Sequence, residues 1–183
     1  MSDERGFTLV ELMAGVLLVG ILGGMAVVTI GSALSSVHGD TAMTQVTTAL
    51  RSGREAAMAQ RRSVDVVFVP PNRIQLWRND TPLIQTALGD VWLDGGAAFD
   101  LDASLPDTLD AFGNAAAVDF GAAVTIQFLP DGTLVDENSI PLNGTVFLAR
   151  PGDLMSVRAV TVTGGSGRLR SFRWMGPGGW EAR

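Results

Sequence analysis

From Leu12 to Ile30 the chain carries no charged side chain, and a single carboxylate, Glu11, stands directly before that run. A helix rises about 1.5 Å per residue, so about 19 such residues reach about 28 Å, close to the thickness of a bilayer's hydrocarbon core. A secretory signal peptide has a shorter apolar region, about 7–15 residues, after a basic start. Here the start is net acidic, with Asp3 and Glu4 against Arg5, and Glu11 falls where the apolar region should begin. An ordinary single-span anchor accounts for the length but not for Glu11, since a charge near the centre of a spanning helix costs about 2.5–3.5 kcal/mol and less near an end. Gly15, Gly20, Gly23, Gly24 and Gly31 punctuate the segment. They fit close helix–helix approach, a stretch that unwinds during assembly, or simple drift in base composition.

The string Gly6-Phe7-Thr8-Leu9-Val10-Glu11-Leu12 closely resembles the type III signal of type IV pilins and pseudopilins. The resemblance implies that a prepilin peptidase, a membrane aspartyl enzyme, cuts between Gly6 and Phe7 and that the new amine of Phe7 is methylated. Glu11 then becomes the fifth residue of the cleaved chain. Its placement has a chemical reason. The α-amine is largely cationic near neutral pH, and an unpaired ion inside a filament core is costly. The Glu11 carboxylate can neutralise the Phe7 amine of an adjacent subunit and so set axial register, as a single polar residue does in a coiled coil. The alternative places Glu11 in the headgroup layer, without effect on assembly. Only Arg5 and the initial amine supply positive charge before the apolar run, so an N-terminus on the cytoplasmic side rests on the resemblance.

Beyond the apolar run roughly 150 of the 183 residues remain, enough for one domain with a core. The net charge of −6 argues against a protein that coats nucleic acid with its whole surface. The absence of cysteine excludes a disulfide framework and thiolate metal sites. His38 is the one histidine, beside Gly39 and Asp40 just beyond an apolar segment, whereas acid–base catalysis needs a partnered group in a pocket. The chain is therefore expected to be no enzyme and to carry no cofactor or metal.

Met43, Val46, Leu50, Gly53 and Ala57 recur at spacings of three or four, one apolar or small face of a helix that continues to about Arg61. Arg51 and Glu55, at i and i+4, form a weak pair on another face, and Arg61-Arg62 suits a helix C-terminus. Periodicity then changes. Strands are expected at Val64–Val69, Arg73–Arg78, Val124–Leu129, Leu134–Val135, Thr145–Ala149, Arg158–Thr163 and Arg168–Trp174, with turns at Asn79–Pro82 and Pro130–Thr133. The predicted fold class is α+β: a long N-terminal helix, half transmembrane and half amphipathic stem, packed on a small antiparallel β-sandwich head.

The stem Ala49–Arg62, the Phe-x-Pro-Asp-Gly-Thr type of hairpin and the closing Gly167-Arg168-Leu169-Arg170 resemble the GspH/FimT family of minor pseudopilins and pilins. The expected parts are a leader at 1–6, a transmembrane and assembly helix at 7–31, a stem at 32–62 and a head at 63–183. Within the head, an acidic Gly/Ala/Asp-rich insertion covers about 87–120. Its aspartates, Asp90, Asp94, Asp100, Asp102, Asp107, Asp110 and Asp119, lack the fixed offsets of a calcium loop and read as a partly mobile surface insertion.

The resemblance implies a minor pseudopilin at or near the tip of a type II secretion pseudopilus. Its partners would be other pseudopilins or pilins, the prepilin peptidase and the inner membrane, with the head in the periplasm. The alternative it implies is a FimT-like minor pilin of a type IV pilus that binds DNA through Arg168 and Arg170, which strand alternation puts on one face. Cations contact phosphate, and Trp174 or Trp180 could stack on a base. Charge protection of an edge strand explains the same arginines without DNA.

Overall fold

The computed structural model describes residues 9–123 and 125–183, with the side chains of residues 25–32 outside the description. The leader at 1–6 and the Gly6–Phe7 bond lie outside the described residues. The chain divides into two compact units, Met1–Leu34 and Ser35–Arg183.

Helix α1 runs from Leu9 to Gln60. In the first unit its side chains from Leu9 to Gly24 are all exposed. Among the described residues, no helix is long and apolar enough to cross a membrane. The sequence carries no charged side chain between Glu11 and Asp40, and within that run the side chains of residues 25–32 are not described.

In the second unit the same helix carries the apolar face expected of it. Ala42, Val46, Leu50 and Ala57 are fully buried, and Met43 packs against them. Gly53 lies so close to the sheet that an added Cβ would stand 3.2 Å from Leu76 Cδ2. Strand β1 (Val64–Val69) pairs antiparallel with β2 (Arg73–Thr81), which pairs with β3 (Ile84–Trp92). On its other side β1 pairs with β6 (Ile126–Phe128), and β6 with β7 (Leu134–Val135). This first sheet has the order β3-β2-β1-β6-β7.

The second sheet is built on β8 (Gly144–Arg150), β9 (Asp153–Thr163), β10 (Arg168–Trp174) and β11 (Trp180–Ala182). Its order is β11-β10-β9-β8-β4, where β4 (Ala98–Phe99) and β5 (Val118–Asp119) both pair with β8. Stem and both sheets share one core, in which Val64, Val66, Ile74, Leu76 and Phe128 meet Val46, Leu50, Val146, Leu148, Val160 and Val162. The α+β class and the stem-on-sheets architecture are as the periodicity predicts.

Three features differ from the sequence reading. First, Asn79–Thr81 is strand, not turn. β2 extends through Thr81 because Asn79 donates to Asp65 Oδ1 at 2.6 Å and its backbone N–H to Ser63 O at 2.9 Å. Second, β3 covers residues 84–92, so irregular chain begins after Trp92 instead of at Ala87. Third, that acidic segment is not a loose surface insertion. Strand alternation turns Phe147, Ala149, Val157, Ala159 and Phe172 to the outer face of the second sheet, and Leu105 of the segment covers them in a second core with Trp180.

The aspartates of this strap close its turns. Asp102 accepts the Ser104 N–H at 2.8 Å, Asp107 those of Thr108 and Gly113 at 2.6 and 2.9 Å, and Asp119 those of Ala115 and Gly121 at 2.8 and 3.0 Å. A short carboxylate that bonds nearby backbone N–H groups is the ordinary chemistry of an Asx turn. Among the described residues, no three carboxylate or imidazole groups converge on a metal-sized site.

Candidate functional site

Glu11 lies in the first turn of α1, where a carboxylate complements the positive end of the helix dipole. It is exposed among large apolar side chains that are equally exposed, from Leu9 at 75% to Leu22 at 62%. Apolar surface all round a helix is the property of one that is covered by lipid or by other helices. The Phe7 amine, the partner the sequence reading assigns to Glu11, lies outside the described residues.

Where the stem joins the head, the structure builds a polar clasp that the sequence reading missed. Arg158, read from the sequence as the first residue of a strand, has a fully buried side chain. A guanidinium has five N–H donors, and all five are used. Nε donates to Asp40 Oδ1 at 2.6 Å, Nη1 to the carbonyls of Met155 and Val157 at 3.1 and 2.8 Å, and Nη2 to Ser36 O and Oγ at 2.9 and 3.1 Å. Burial pushes the Arg158 pKa down, and the Asp40 carboxylate opposes that shift. Arg173, opposite Arg158 on β10, donates to the same Ser36 Oγ at 2.5 Å. Gln45 and Asp94 add a second tie, with Gln45 Nε2 donating to Asp94 Oδ2 at 2.6 Å. His38 packs on Gly95, where an added Cβ would stand 2.3 Å from its Nδ1. A packing role accounts for that side chain.

Arg168 and Arg170 do share one strand, but their surroundings differ. Arg168 is exposed and lines a depression of about 120 Å³ with Arg51, Arg54 and Glu55. Arg54 braces this corner, donating to Gly132 O at 3.1 Å and Ser166 O at 3.0 Å. Gly167 adopts φ 60°, and an added Cβ would lie 2.2 Å from Gly132 O, so the glycine of the Gly-Arg-Leu-Arg stretch is dictated by packing. Arg170 is held by the strap. Its Nη1 donates to Asp110, whose other oxygen accepts from Thr161 Oγ1 at 2.6 Å, and its guanidinium lies 5.0 Å from the centre of the Phe172 ring. Trp180 is buried and donates from Nε1 to Pro106 O at 2.9 Å, and Trp174 packs against it.

The sequence signal for Asp110 was only one aspartate among many. Its partner lies 60 residues away on β10, a distance that no local pattern encodes.

A helix bare and apolar at one end and wrapped by two antiparallel sheets at the other defines a pilin-like subunit. The family comparisons agree. Residues 1–27 match the prokaryotic N-terminal methylation motif, and residues 42–167 match the type II transport protein GspH. The second match covers more than half of the chain, and the protein belongs to the GspH family, a family of structural pseudopilins. No curated protein and no solved structure gives a significant match.

Proposed function

We propose that the protein is a minor pseudopilin, a non-catalytic subunit at or near the tip of a type II secretion pseudopilus. The observation that carries this reading is the pairing of one exposed carboxylate, Glu11, with an exposed apolar helix face, behind a matched methylation motif. Prepilin peptidase cuts between Gly6 and Phe7, and Phe7 is methylated. Before assembly the apolar segment anchors the chain in the inner membrane, with the head in the periplasm. During assembly Glu11 neutralises the Phe7 amine of a neighbouring pseudopilin, and the apolar face trades lipid for other helices. Mass spectrometry of the membrane-extracted protein should show a methylated Phe7 as first residue. An intact Met1 would sink the reading.

A second reading, DNA capture by a type IV pilus minor pilin, draws support from the grouping of Arg168 with Arg51 and Arg54. Arg170 supports it less, because Asp110 already neutralises it. A salt-dependent shift of DNA by the protein, lost on Arg168→Gln, is the outcome that would favour this reading.

A further inference from the structure

We infer that, before it joins a filament, the head rests on the phospholipid surface through the tip of the β8–β9 hairpin, with Leu154 and Met155 seated in the interfacial layer. This inference rests on the anchored state proposed above.

Leu154 and Met155 are 49% and 53% exposed, side by side at the start of β9, after the Pro151-Gly152 turn. Neighbouring residues of a strand point to opposite faces, so both faces of this tip present apolar surface. The tip is fixed to the stem at the point where the helix enters the second unit. Arg158 ties Met155 O to Ser36 O through its two Nη groups. At Gly39 the helix and hairpin backbones nearly touch, since an added Cβ would stand 2.3 Å from Ser156 O. Val37, on the adjoining turn, is 57% exposed.

The occupant follows from the tether. Five residues lie between Ile30, where the strongly apolar run gives way to Gly31-Ser32, and Ser36, six steps along the chain. Even fully extended, that chain reaches only about 20 Å, and the polar layer on each side of a bilayer is itself about 5–8 Å deep. An anchored chain therefore keeps Ser36, and the hairpin tip clasped to it, next to the lipid. A contact too weak to recruit a free protein is favoured here, because anchoring makes it intramolecular. The charges nearby are of both signs. Asp40 is paired with Arg158, the Asp153 carboxylate accepts the Met155 N–H at 3.1 Å, and Asp102, which lines a depression with Leu154, Asp100 and Arg150, accepts the Ser104 N–H.

The opposite end of the head supplies a control. Leu83, at the β2–β3 turn, is 96% exposed, and β2 is tied at Asn79 to Ser63, just past the helix C-terminus. From Ser36 to Gln60 the helix rises about 36 Å, so Leu83 lies at the end of the head far from the hairpin tip.

The chain has no cysteine, so single sites can be labelled. Full-length Met155→Cys and Leu83→Cys proteins, each carrying an environment-sensitive fluorophore, are reconstituted in phosphatidylethanolamine–phosphatidylglycerol vesicles. The label at 155 should shift to the blue and resist aqueous iodide several-fold better than the label at 83. Adding Leu154→Asp should abolish that protection without lowering Tm. Equal quenching at both sites in protein that floats with the vesicles overturns lipid docking and leaves the anchored reading intact. Protein that does not float overturns both.

Discussion

The two ends of α1 are one secondary structure with opposite fates. From Leu9 to Gly24 every side chain is exposed, and the large apolar ones stand more than half open. From Ala42 to Ala57 the apolar face is closed off, with Val46 and Leu50 at 0%. Helical hydrogen bonding is the same in both, so it does not explain the difference. The C-terminal half has its partners in its own chain, two sheets that share its core. In the N-terminal half the described side chains from Leu9 to Gly24 are all exposed, and apolar surface of that extent is satisfied by lipid or by other helices. The proposed function puts stability in one half and assembly in the other, and substitutions should separate them.

The largest effect is expected at Glu11. Glu11→Val should reduce incorporation into filaments by at least about tenfold, equivalent to about 1.4 kcal/mol, while Tm stays unchanged. Quantifying the subunit in sheared pseudopili checks this, and normal incorporation would place Glu11 in the headgroup layer. Asp40→Ala does the reverse. It leaves the Arg158 guanidinium buried without its anion, and breaking a buried pair costs about 3–5 kcal/mol. Because Asp40 is itself 43% exposed, the lower figure is expected, read as a fall in Tm.

Leu105→Ala tests whether the strap is structural. Removing a buried Leu side chain costs about 2–5 kcal/mol, whereas a loose surface insertion would lose almost nothing. The arginines come next. Arg168→Gln should leave stability unchanged, whereas Arg170→Gln should lower it by about 1 kcal/mol by unpairing Asp110, read in denaturant melts. If either binds DNA, only Arg168→Gln should weaken the complex markedly.

The smallest effect concerns pH. Burial raises the Asp65 pKa above 3.8, against the hydrogen bonds from Asn79 and Gln85 that lower it. A carboxyl whose folded pKa is raised contributes stability that is full below the unfolded pKa and is lost as pH climbs through the folded one. Asp65→Asn should therefore gain relative to the wild type as pH rises through that window, seen in paired thermal melts.

Much of the stem was legible. Val46, Leu50, Gly53 and Ala57 follow helical spacing because one face meets one core. β10 was read with its bounds intact, since glycine-rich turns flank Arg168–Trp174 on both sides. β3 escaped notice because an edge strand exposed along most of its length has little reason to alternate. β11 is only three residues long and shows no period at all. The strap misled through composition. Its glycines and aspartates signal turns, and turns look alike whether they wander or close over a core.

The sequence by itself determined the apolar run, the lone carboxylate before it, the stem face and most of the strands. These depend on periodicity and charge within a few residues of one another. Only the tertiary structure decided which charges were surface and which were clasp. Arg158 and Arg170 look alike beside Arg168 in the sequence, yet Asp40 and Asp110 reach them across 118 and 60 residues. Whether a guanidinium faces water, a carboxylate or a helix carbonyl depends on what the fold brings against it, and that is a long-range fact.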